Sequence, residues 1–201
     1  MSERLTTLSR VKLSVLVPTV PRRVGNSFRT IIKKLERQDE LYGNGQVEIL
    51  GLYDNKRMKL GDKRNRLLEI ASGEYVAFVD DDDEVDDTYI NSILGAIMDN
   101  QGVDVIHYPI ICTMDNGRPK YCEYGLHLDY FDSPDYWTGK PTHTHIWNQS
   151  IARQARFPVD KTFGEDLDWV DQVCAYASTE FRIDKVLYYY KFDSTKTETR
   201  G

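Results

Sequence analysis

The alternation of apolar runs with amphipathic stretches in the first half of the sequence limits the possible folds more than any other feature. Strands are predicted at residues 11–17, 47–53, 75–79 and 103–111. The intervening helices are predicted to begin at Asn26, to span residues 61–72 before the stop signal Gly73, and to follow the caps Asp86 and Asp87. This βαβαβαβ order is typical of a parallel sheet covered by helices on both faces.

The second half of the sequence has a different pattern. The turn signal Asp115-Asn116-Gly117 predicts a hairpin, and the aromatic stretch at residues 125–141 is predicted to be a long loop. A helix is expected at residues 166–177 and a last strand at residues 181–192. Because no repeat or linker divides the sequence, we predict one domain over residues 1–201, with a smaller antiparallel C-terminal portion.

Composition excludes several classes of protein. With 40% hydrophobic residues among 201, the chain can bury about 70% of its unfolded surface without disulfides or a structural metal. No apolar run approaches the ~20 residues of a membrane span, and the N-terminus lacks the apolar core of a secretory signal. The three cysteines have no C-x-x-C spacing. We therefore expect a cytoplasmic protein without a membrane partner.

The formal charge of −6 argues mildly against anionic partners, but the acids are unevenly distributed. Seven acids and no base lie at residues 80–87, and the other 25 acids face 26 bases. Four adjacent aspartates, Asp80 to Asp83, directly follow a predicted buried strand. Their repulsion favours a bound divalent cation such as Mg²⁺ or Mn²⁺, although a solvated acidic loop that caps the next helix is the alternative.

Basic residues supply a matching signal. Lys63 and Arg64 follow Gly61 at the predicted start of the second helix, where a helix N-terminus attracts anions. The carboxyl ends of parallel strands meet at one edge of a sheet, so these residues and the aspartates should face one crevice. Together they indicate a diphosphate site, and a solvated helix face is the alternative.

A carboxylate pair far along the chain could serve as a general base. Glu165 and Asp166 follow Gly164, just before a predicted amphipathic helix. An inverting group transfer needs such a carboxylate over the same crevice. Acidic residues in a first helical turn also simply cap the helix, and composition alone favours that interpretation.

Three linked motifs make the sequence recognisable. The segments LSVLVPT at 13–19, GDKRNRLL at 61–68 and ASGEYVAFVDDDD at 71–83 resemble, in order and spacing, family 2 glycosyltransferases of the GT-A fold. FGED at 163–166 is similar to the Glu-Asp motif of that family, and KVLYYY at 185–190 to the last strand of its short, often phage-encoded members. The resemblance covers nearly the whole chain.

The resemblance implies roles for particular residues. The donor site would comprise Pro18, Thr19, Arg22 or Arg23 along the nucleotide pocket, Asp54 near the base, Lys63 and Arg64 near the ribose or diphosphate, and Asp80 and Asp81 of the D-x-D signature. Asp82 would hold Mn²⁺ or Mg²⁺. His143 and His145 lie where some GT-A enzymes provide a further metal ligand, and His145 is the candidate for that role. Asp166 would be the catalytic base with Glu165 beside it. One departure concerns Asp54, because Tyr53-Asp54-Asn55-Lys56 replaces the acid-acid-glycine-serine turn of the family.

The implied activity is metal-dependent, inverting transfer of a sugar from a nucleotide-diphosphate sugar to an acceptor hydroxyl. Residues 1–110 would bind the donor, and residues 111–201 the acceptor and the base. The acceptor would be a glycan or a modified DNA base such as hydroxymethylated cytosine. Two alternatives stay open: a nucleotidyltransferase, for which the segment after the first strand lacks a glycine-rich loop, and a non-catalytic nucleotide-sugar or glycan-binding module.

Overall fold

The centre of the main sheet has the parallel arrangement that the sequence predicts. The computed structural model describes residues 10–194. Its first three long strands are β1 (Leu13–Pro18), β2 (Val47–Leu52) and β3 (Tyr75–Phe78). Strand β1 lies between β2 and β3 and is parallel to both, and every residue of β1 is buried. An unbroken apolar run is the pattern expected of a strand covered on both faces.

Beyond β3 the sheet differs from the prediction. A strand from the second half of the sequence lies between β3 and the strand that follows β3 in the predicted order. The added strands are β5 (Val105–His107), β10 (Ile146–Asn148) and β11 (Glu180–Arg182), and the sheet order is β11-β5-β10-β3-β1-β2. Strand β10 is antiparallel to β3 and β5, whereas β11 is parallel to β5. The main sheet is therefore mostly parallel with one inserted antiparallel strand.

A second, smaller sheet follows. Its strands, in spatial order, are β4 (Glu84–Val85), β12 (Tyr188–Phe192), β6 (Ile110–Met114), β7 (Lys120–Tyr124), β9 (Tyr136–Gly139) and β8 (Phe131–Asp132). The β6–β7 hairpin is confirmed, with Asp115 and Asn116 in the left-handed conformation that tight hairpin turns require. The predicted loop at residues 125–141 was wrong in part, because it contains β8 and β9. Since β9 is parallel to β7 and β12 is parallel to β6, this sheet is mixed.

Two predicted strands each divide between the sheets. Residues 103–111 separate into β5 and β6 around Pro109, which has no N–H to donate to a continuous ladder. Residues 181–192 separate into β11 and β12. These two segments run side by side from one sheet to the other, since β11 pairs with β5 and β12 with β6.

Helices cover both faces of the main sheet, as predicted. They are α1 (Ser27–Gln38), α2 (Leu60–Ile70), α3 (Tyr89–Asp99), α4 (Gln149–Ala152) and α5 (Glu165–Cys174). Val15 and Ala77 point to the core shared with α1 and α3, whereas Leu16 and Phe78 point to the core shared with α2 and α5. This alternation follows from the two-residue period of a strand. Within residues 10–194, no helix combines the length and apolar character of a membrane span.

The predicted signals at the helix ends are confirmed at two positions and wrong at two others. Asn26 caps α1, its side chain accepting a hydrogen bond from the Ser27 amide. Asp86 accepts from the Thr88 amide just before α3, whereas Asp87 makes an ion pair with Lys34 instead. Gly73 does not adopt the left-handed conformation of a helix stop. A Cβ at Gly73 would lie 2.5 Å from Ser14 Oγ, so this glycine permits close packing against β1.

Candidate active site

A cleft of about 530 Å³ lies at the carboxyl ends of β1 and β3, where the parallel arrangement predicts it. Pro18, Thr19 and the acidic run at residues 80–83 form one side. Residues 161–166, which lead into α5, line it as well, and the second sheet contributes Ile110, Cys112, Tyr124, Tyr188 and Tyr190. The structure thus brings together the two acidic motifs that the sequence separates by about eighty residues.

The first aspartate of the run is fixed by two basic side chains. Asp80 Oδ1 lies 2.8 Å from Arg64 Nη2, and Asp80 Oδ2 lies 3.2 Å from His143 Nε2. Burial opposes ionisation of this carboxyl, but Arg64 and His143 outweigh it and hold the pKa of Asp80 well below its usual range. Asp80 is therefore a fixed carboxylate at the cleft.

The next two aspartates share Arg23. Arg23 Nη1 lies 2.7 Å from Asp81 Oδ1, and Arg23 Nη2 lies 2.7 Å from Asp82 Oδ2. Thr19 Oγ1 donates to Asp81 Oδ2 over 2.5 Å, and burial raises the pKa of Asp81. Of the two predicted arginines, Arg23 lines the cleft, whereas Arg22 is exposed and is not part of its lining.

Asp82 is exposed, whereas Asp83 is half-buried. The Asp82 side chain is 42% exposed, and partial burial raises its pKa to about 6 although Arg23 lowers it. Asp83 Oδ2 accepts from the Tyr188 hydroxyl over 2.8 Å, and that hydroxyl also accepts from the Asp80 amide. Tyr188 is a residue of the site that the sequence marks only by its place in the KVLYYY run.

Lys63 and Asp54 form a buried pair beside the cleft. Lys63 Nζ lies 2.5 Å from Asp54 Oδ1 and donates to the Thr19 carbonyl oxygen over 2.7 Å. Asp54 also accepts from the Arg57 and Met58 amides. Burial acts to raise the pKa of Asp54, but these donors bring it below its usual value. Asp54 is not among the residues that line the cleft, so it holds Lys63 in this structure rather than facing the predicted base site.

Arg64 lies at the centre of the site and is buried. Its Nη1 donates to Glu165 Oε1 over 2.6 Å, and its Nη2 faces Asp80 and lies 3.0 Å from His143 Nε2. Its guanidinium carbon also lies 5.5 Å from the centre of the Phe157 ring, within cation–π range. Arg64 therefore connects the acidic run after β3 to the first residue of α5.

The two residues of the Glu-Asp motif have different surroundings. Glu165 is buried against Arg64. The Asp166 side chain is 34% exposed and lines the cleft, and its Oδ2 lies 3.6 Å from His143 Nδ1. Gly164 precedes them with a φ of +74°, a backbone conformation that glycine adopts without strain. Asp166 is thus the member of the pair that a bound molecule can reach.

The histidine prediction needs correction. His145 does not line the cleft, because its Nδ1 accepts from the Thr142 amide over 2.8 Å and its Nε2 lies 3.1 Å from the Tyr108 carbonyl oxygen. Both ring nitrogens are engaged, and burial lowers its pKa to about 3. His143 lines the cleft instead. A turn closed by the His145 amide and the Thr142 carbonyl separates these two near neighbours, which a T-H-T-H sequence does not reveal.

The side chains of the cleft fit a divalent cation that takes only part of its ligands from the protein. In the described part of the chain, no group of three His, Cys, Asp or Glu side chains is arranged to hold an ion by itself. Asp82 nevertheless offers a partly exposed carboxylate among other carboxylates. Mg²⁺ commonly takes one or two protein carboxylates and completes its shell with substrate phosphates and water. The site fits a cation that arrives with a phosphate-bearing ligand.

Known structures share this fold. The chain matches S. aureus TarS residues 1–349 with a TM-score of 0.63 and 22% identity over 90% of this chain and 60% of that one. For TarS 1–349 in complex with UDP-GlcNAc, the TM-score is 0.67 and the identity 20%, over 95% and 61%. Mannosyl-3-phosphoglycerate synthase from Rubrobacter xylanophilus gives 0.53 and 12% over 92% and 67%. The chain thus spans about three fifths of the TarS 1–349 structures.

Sequence comparison identifies the family. A search of curated protein sequences found no match. The family described as Glycosyl transferase family 2 matches residues 25–157, a segment that includes α1, the basic helix α2 and the acidic run. The match covers well over half of the chain and agrees with the GT-A architecture and its cleft. The chain belongs to glycosyl transferase family 2.

Proposed function

We propose that this protein transfers a sugar from a nucleotide-diphosphate sugar to an acceptor hydroxyl, with inversion and with the help of Mn²⁺ or Mg²⁺. One observation carries the proposal: the reachable carboxylate of Asp166 and the acidic run after β3 line the same cleft. Family membership supports the reaction class. The TarS complex with UDP-GlcNAc supports a UDP-sugar as the first donor to test.

The donor would lie along the side of the cleft formed after β1 and β3. Pro18, Thr19 and Arg23 would contact the nucleotide, and Asp80 would face the ribose. Asp81 keeps Thr19 and Arg23 in place through its two hydrogen bonds. Lys63 pairs with Asp54, and Arg64 pairs with Asp80 and Glu165, so we assign these two cations a supporting electrostatic role beside the diphosphate.

Asp82 would hold the divalent metal together with the donor phosphates. When bound, the metal would stabilise the charge that grows on the leaving diphosphate. Asp82 differs from the two aspartates before it. Both oxygens of Asp80 and of Asp81 have partners, whereas Asp82 is partly exposed and pairs with Arg23 through one oxygen.

Asp166 would act as the general base. It would take the proton of the acceptor hydroxyl while the oxygen bonds to the anomeric carbon and the bond to the diphosphate oxygen breaks. The nucleotide diphosphate then leaves with the electron pair. Direct displacement at one face inverts the anomeric centre.

The acceptor we propose is a hydroxyl of a glycan or of hydroxymethylated cytosine in DNA. An anionic acceptor is compatible with the charge distribution, because the chain outside residues 80–87 has 25 acids and 26 bases and a bound divalent cation would offset part of the charge of that run. A cytoplasmic location and a phage origin stay predictions.

The first test is a panel of nucleotide sugars with Mn²⁺, measured by calorimetric binding and by release of the nucleotide diphosphate. Asp166→Asn should lower release about 10²- to 10⁴-fold, as loss of a general base does, and leave the donor Kd unchanged. Asp171→Asn is the matched control, since it makes the same change at an exposed position of α5. It should keep full turnover.

The same assays, extended to nucleoside triphosphates with sugar phosphates, separate the alternatives. A nucleotidyltransferase would release pyrophosphate from a nucleoside triphosphate and a sugar phosphate. A binding module would bind a nucleotide sugar without releasing a diphosphate. Normal turnover in Asp166→Asn, or binding of no nucleotide-diphosphate sugar, would contradict the proposed function.

A further inference from the structure

His143 lies between the two sides of the cleft. It precedes β10, which is antiparallel to β3, so the beginning of β10 lies at the same edge of the sheet as the end of β3. The His143 carbonyl oxygen accepts from the Phe78 amide, which fixes the residue beside the acidic run. Its side chain is buried between Arg64 and Asp80 on one side and Asp166 on the other.

The Nε2 atom of His143 faces both a hydrogen-bond donor and an acceptor. Its Nε2 lies 3.0 Å from Arg64 Nη2 and 3.2 Å from Asp80 Oδ2. A guanidinium nitrogen can only donate and a carboxylate can only accept, so Arg64 favours an unprotonated Nε2 and Asp80 a protonated one. In the neutral tautomer that Arg64 favours, the hydrogen is on Nδ1.

That hydrogen has no acceptor at hydrogen-bond distance. Among residues 10–194, His143 Nδ1 is buried without a hydrogen-bond partner. A carboxylate oxygen faces it, since Asp166 Oδ2 is 3.6 Å away. Buried donors are rarely left unpaired, and hydrogen bonds in an empty catalytic site are often long and shorten when substrate binds.

We propose that His143 is a positioning residue for Asp166. Its Nδ1–H donates to Asp166 Oδ2 when the donor is bound, and this leaves Asp166 Oδ1 directed at the acceptor hydroxyl. The chain Asp80–Arg64–His143–Asp166 then connects the donor side of the cleft to the base. The proposal rests on the proposed function, because it needs Asp166 to be the base.

Two isosteric substitutions test the two nitrogens separately. In His143→Asn the amide NH₂ replaces Nδ1 and faces Asp166, whereas in His143→Gln the longer amide reaches Arg64 and Asp80 and leaves Asp166 without its donor. The probe is hydrolysis of UDP-GlcNAc with Mn²⁺, or of the best donor of the panel. His143→Gln should lower kcat about 10- to 100-fold with a donor Kd within about twofold, as loss of an orienting contact does. His143→Asn should keep at least tenfold more of kcat.

A double-mutant cycle gives a readout that a merely structural role would not produce. In the Asp166→Asn background, His143→Gln should have little further effect, because the group that it positions is already inactive. Additive losses, equal losses in the Asn and Gln variants, or a change in donor Kd alone would overturn the positioning role. Normal turnover in Asp166→Asn alone would overturn the proposed function and this inference together.

The wild-type protein provides a test that does not depend on the folding of variants. With ¹⁵N-labelled histidine and bound UDP, NMR should show His143 protonated at Nδ1 and unprotonated at Nε2. Protonation at Nε2 alone would overturn the proposal, since no hydrogen would then face Asp166.

Discussion

The two sides of the cleft are built differently. We call the residues after β1 and β3 with the start of α2, namely Thr19, Arg23, Lys63, Arg64 and Asp80 to Asp83, the donor wall. Most of their charged groups pair with one another, and Lys63, Arg64 and Asp81 are buried. We call residues 161–166 the base segment. There Phe163 is 71% exposed, and only Glu165 is buried.

The two sides therefore differ in whether their side chains are held in place before a ligand binds. A donor wall held by internal ion pairs needs little rearrangement to receive a diphosphate, and such preorganisation strengthens electrostatic stabilisation of a transition state. The base segment offers exposed side chains to whatever arrives from solvent. Under the proposed function, the donor would therefore meet groups that are fixed in advance, whereas the acceptor would meet side chains that are still exposed.

The strongest test of this comparison is Arg64→Met, which removes the centre of the donor wall. Glu165 would stay buried without its cation, and Asp80 would lose its ion pair with Arg64 and keep only the contact with His143. Removing one partner of a buried ion pair costs about 3–5 kcal/mol, and we expect a loss near the middle of that range. Urea unfolding at pH 7 measures it. Adding Glu165→Gln to Arg64→Met should recover part of the loss.

Arg66→Met on the same helix is the matched control. The Arg66 side chain is 59% exposed and pairs with Asp62 one turn earlier. Exposed pairs of this kind contribute about 0.3–0.5 kcal/mol, so its loss should be small. Equal effects at positions 64 and 66 would mean that the donor wall does not depend on its buried pairs.

The parts of the fold that were predictable are those with local signals. The apolar strands β1 to β3 and the faces of α1 and α3 follow from periodicity, because each pattern repeats within a few residues of the chain. Strand β10 has three residues, and its place between β3 and β5 is a pairing over long sequence distances. Periodicity carries no information about such a pairing, although Pro109 does mark where residues 103–111 must divide.

The candidate site was predictable to the same extent. Parallel strands share an edge, and this is why Thr19 and Asp80 were expected in one crevice. The pairing of Asp54 with Lys63, and the choice of His143 over His145, depend on a turn and on buried contacts between distant segments. Sequence spacing alone does not determine which of two nearby histidines faces the cleft.

A smaller loss of stability is expected where the start of α2 contacts the chain segment that precedes the base segment. Gly61 lies in the first turn of α2, and a Cβ there would be 2.1 Å from the Pro158 carbonyl oxygen. Because the neighbour is backbone, Gly61→Ala must move one segment and should cost about 1–3 kcal/mol, measured by urea unfolding. Gly95→Ala is the matched control: nothing lies within 4 Å of its Cβ position in α3, and it should stabilise by about 0.5–1 kcal/mol. A neutral Gly61→Ala would show that the two segments can separate freely.

The smallest effect on stability, and the most informative for the acceptor, is expected at Phe163. Its ring lines the cleft but is mostly exposed, so Phe163→Ser should change unfolding free energy by no more than about 0.5 kcal/mol. Donor binding should not change. Transfer should fall about 2- to 10-fold if the ring stacks on the acceptor, as aromatic contacts of this kind are worth about 0.5–1.5 kcal/mol. A hydroxymethylcytosine oligonucleotide and a free hexosamine serve as test acceptors.

The matched control is Phe131→Ser, which makes the same change at a 54% exposed ring of β8, outside the cleft lining. If Phe131→Ser lowers transfer and Phe163→Ser does not, the acceptor lies along the second sheet. The exposure of the base segment would then not serve acceptor binding.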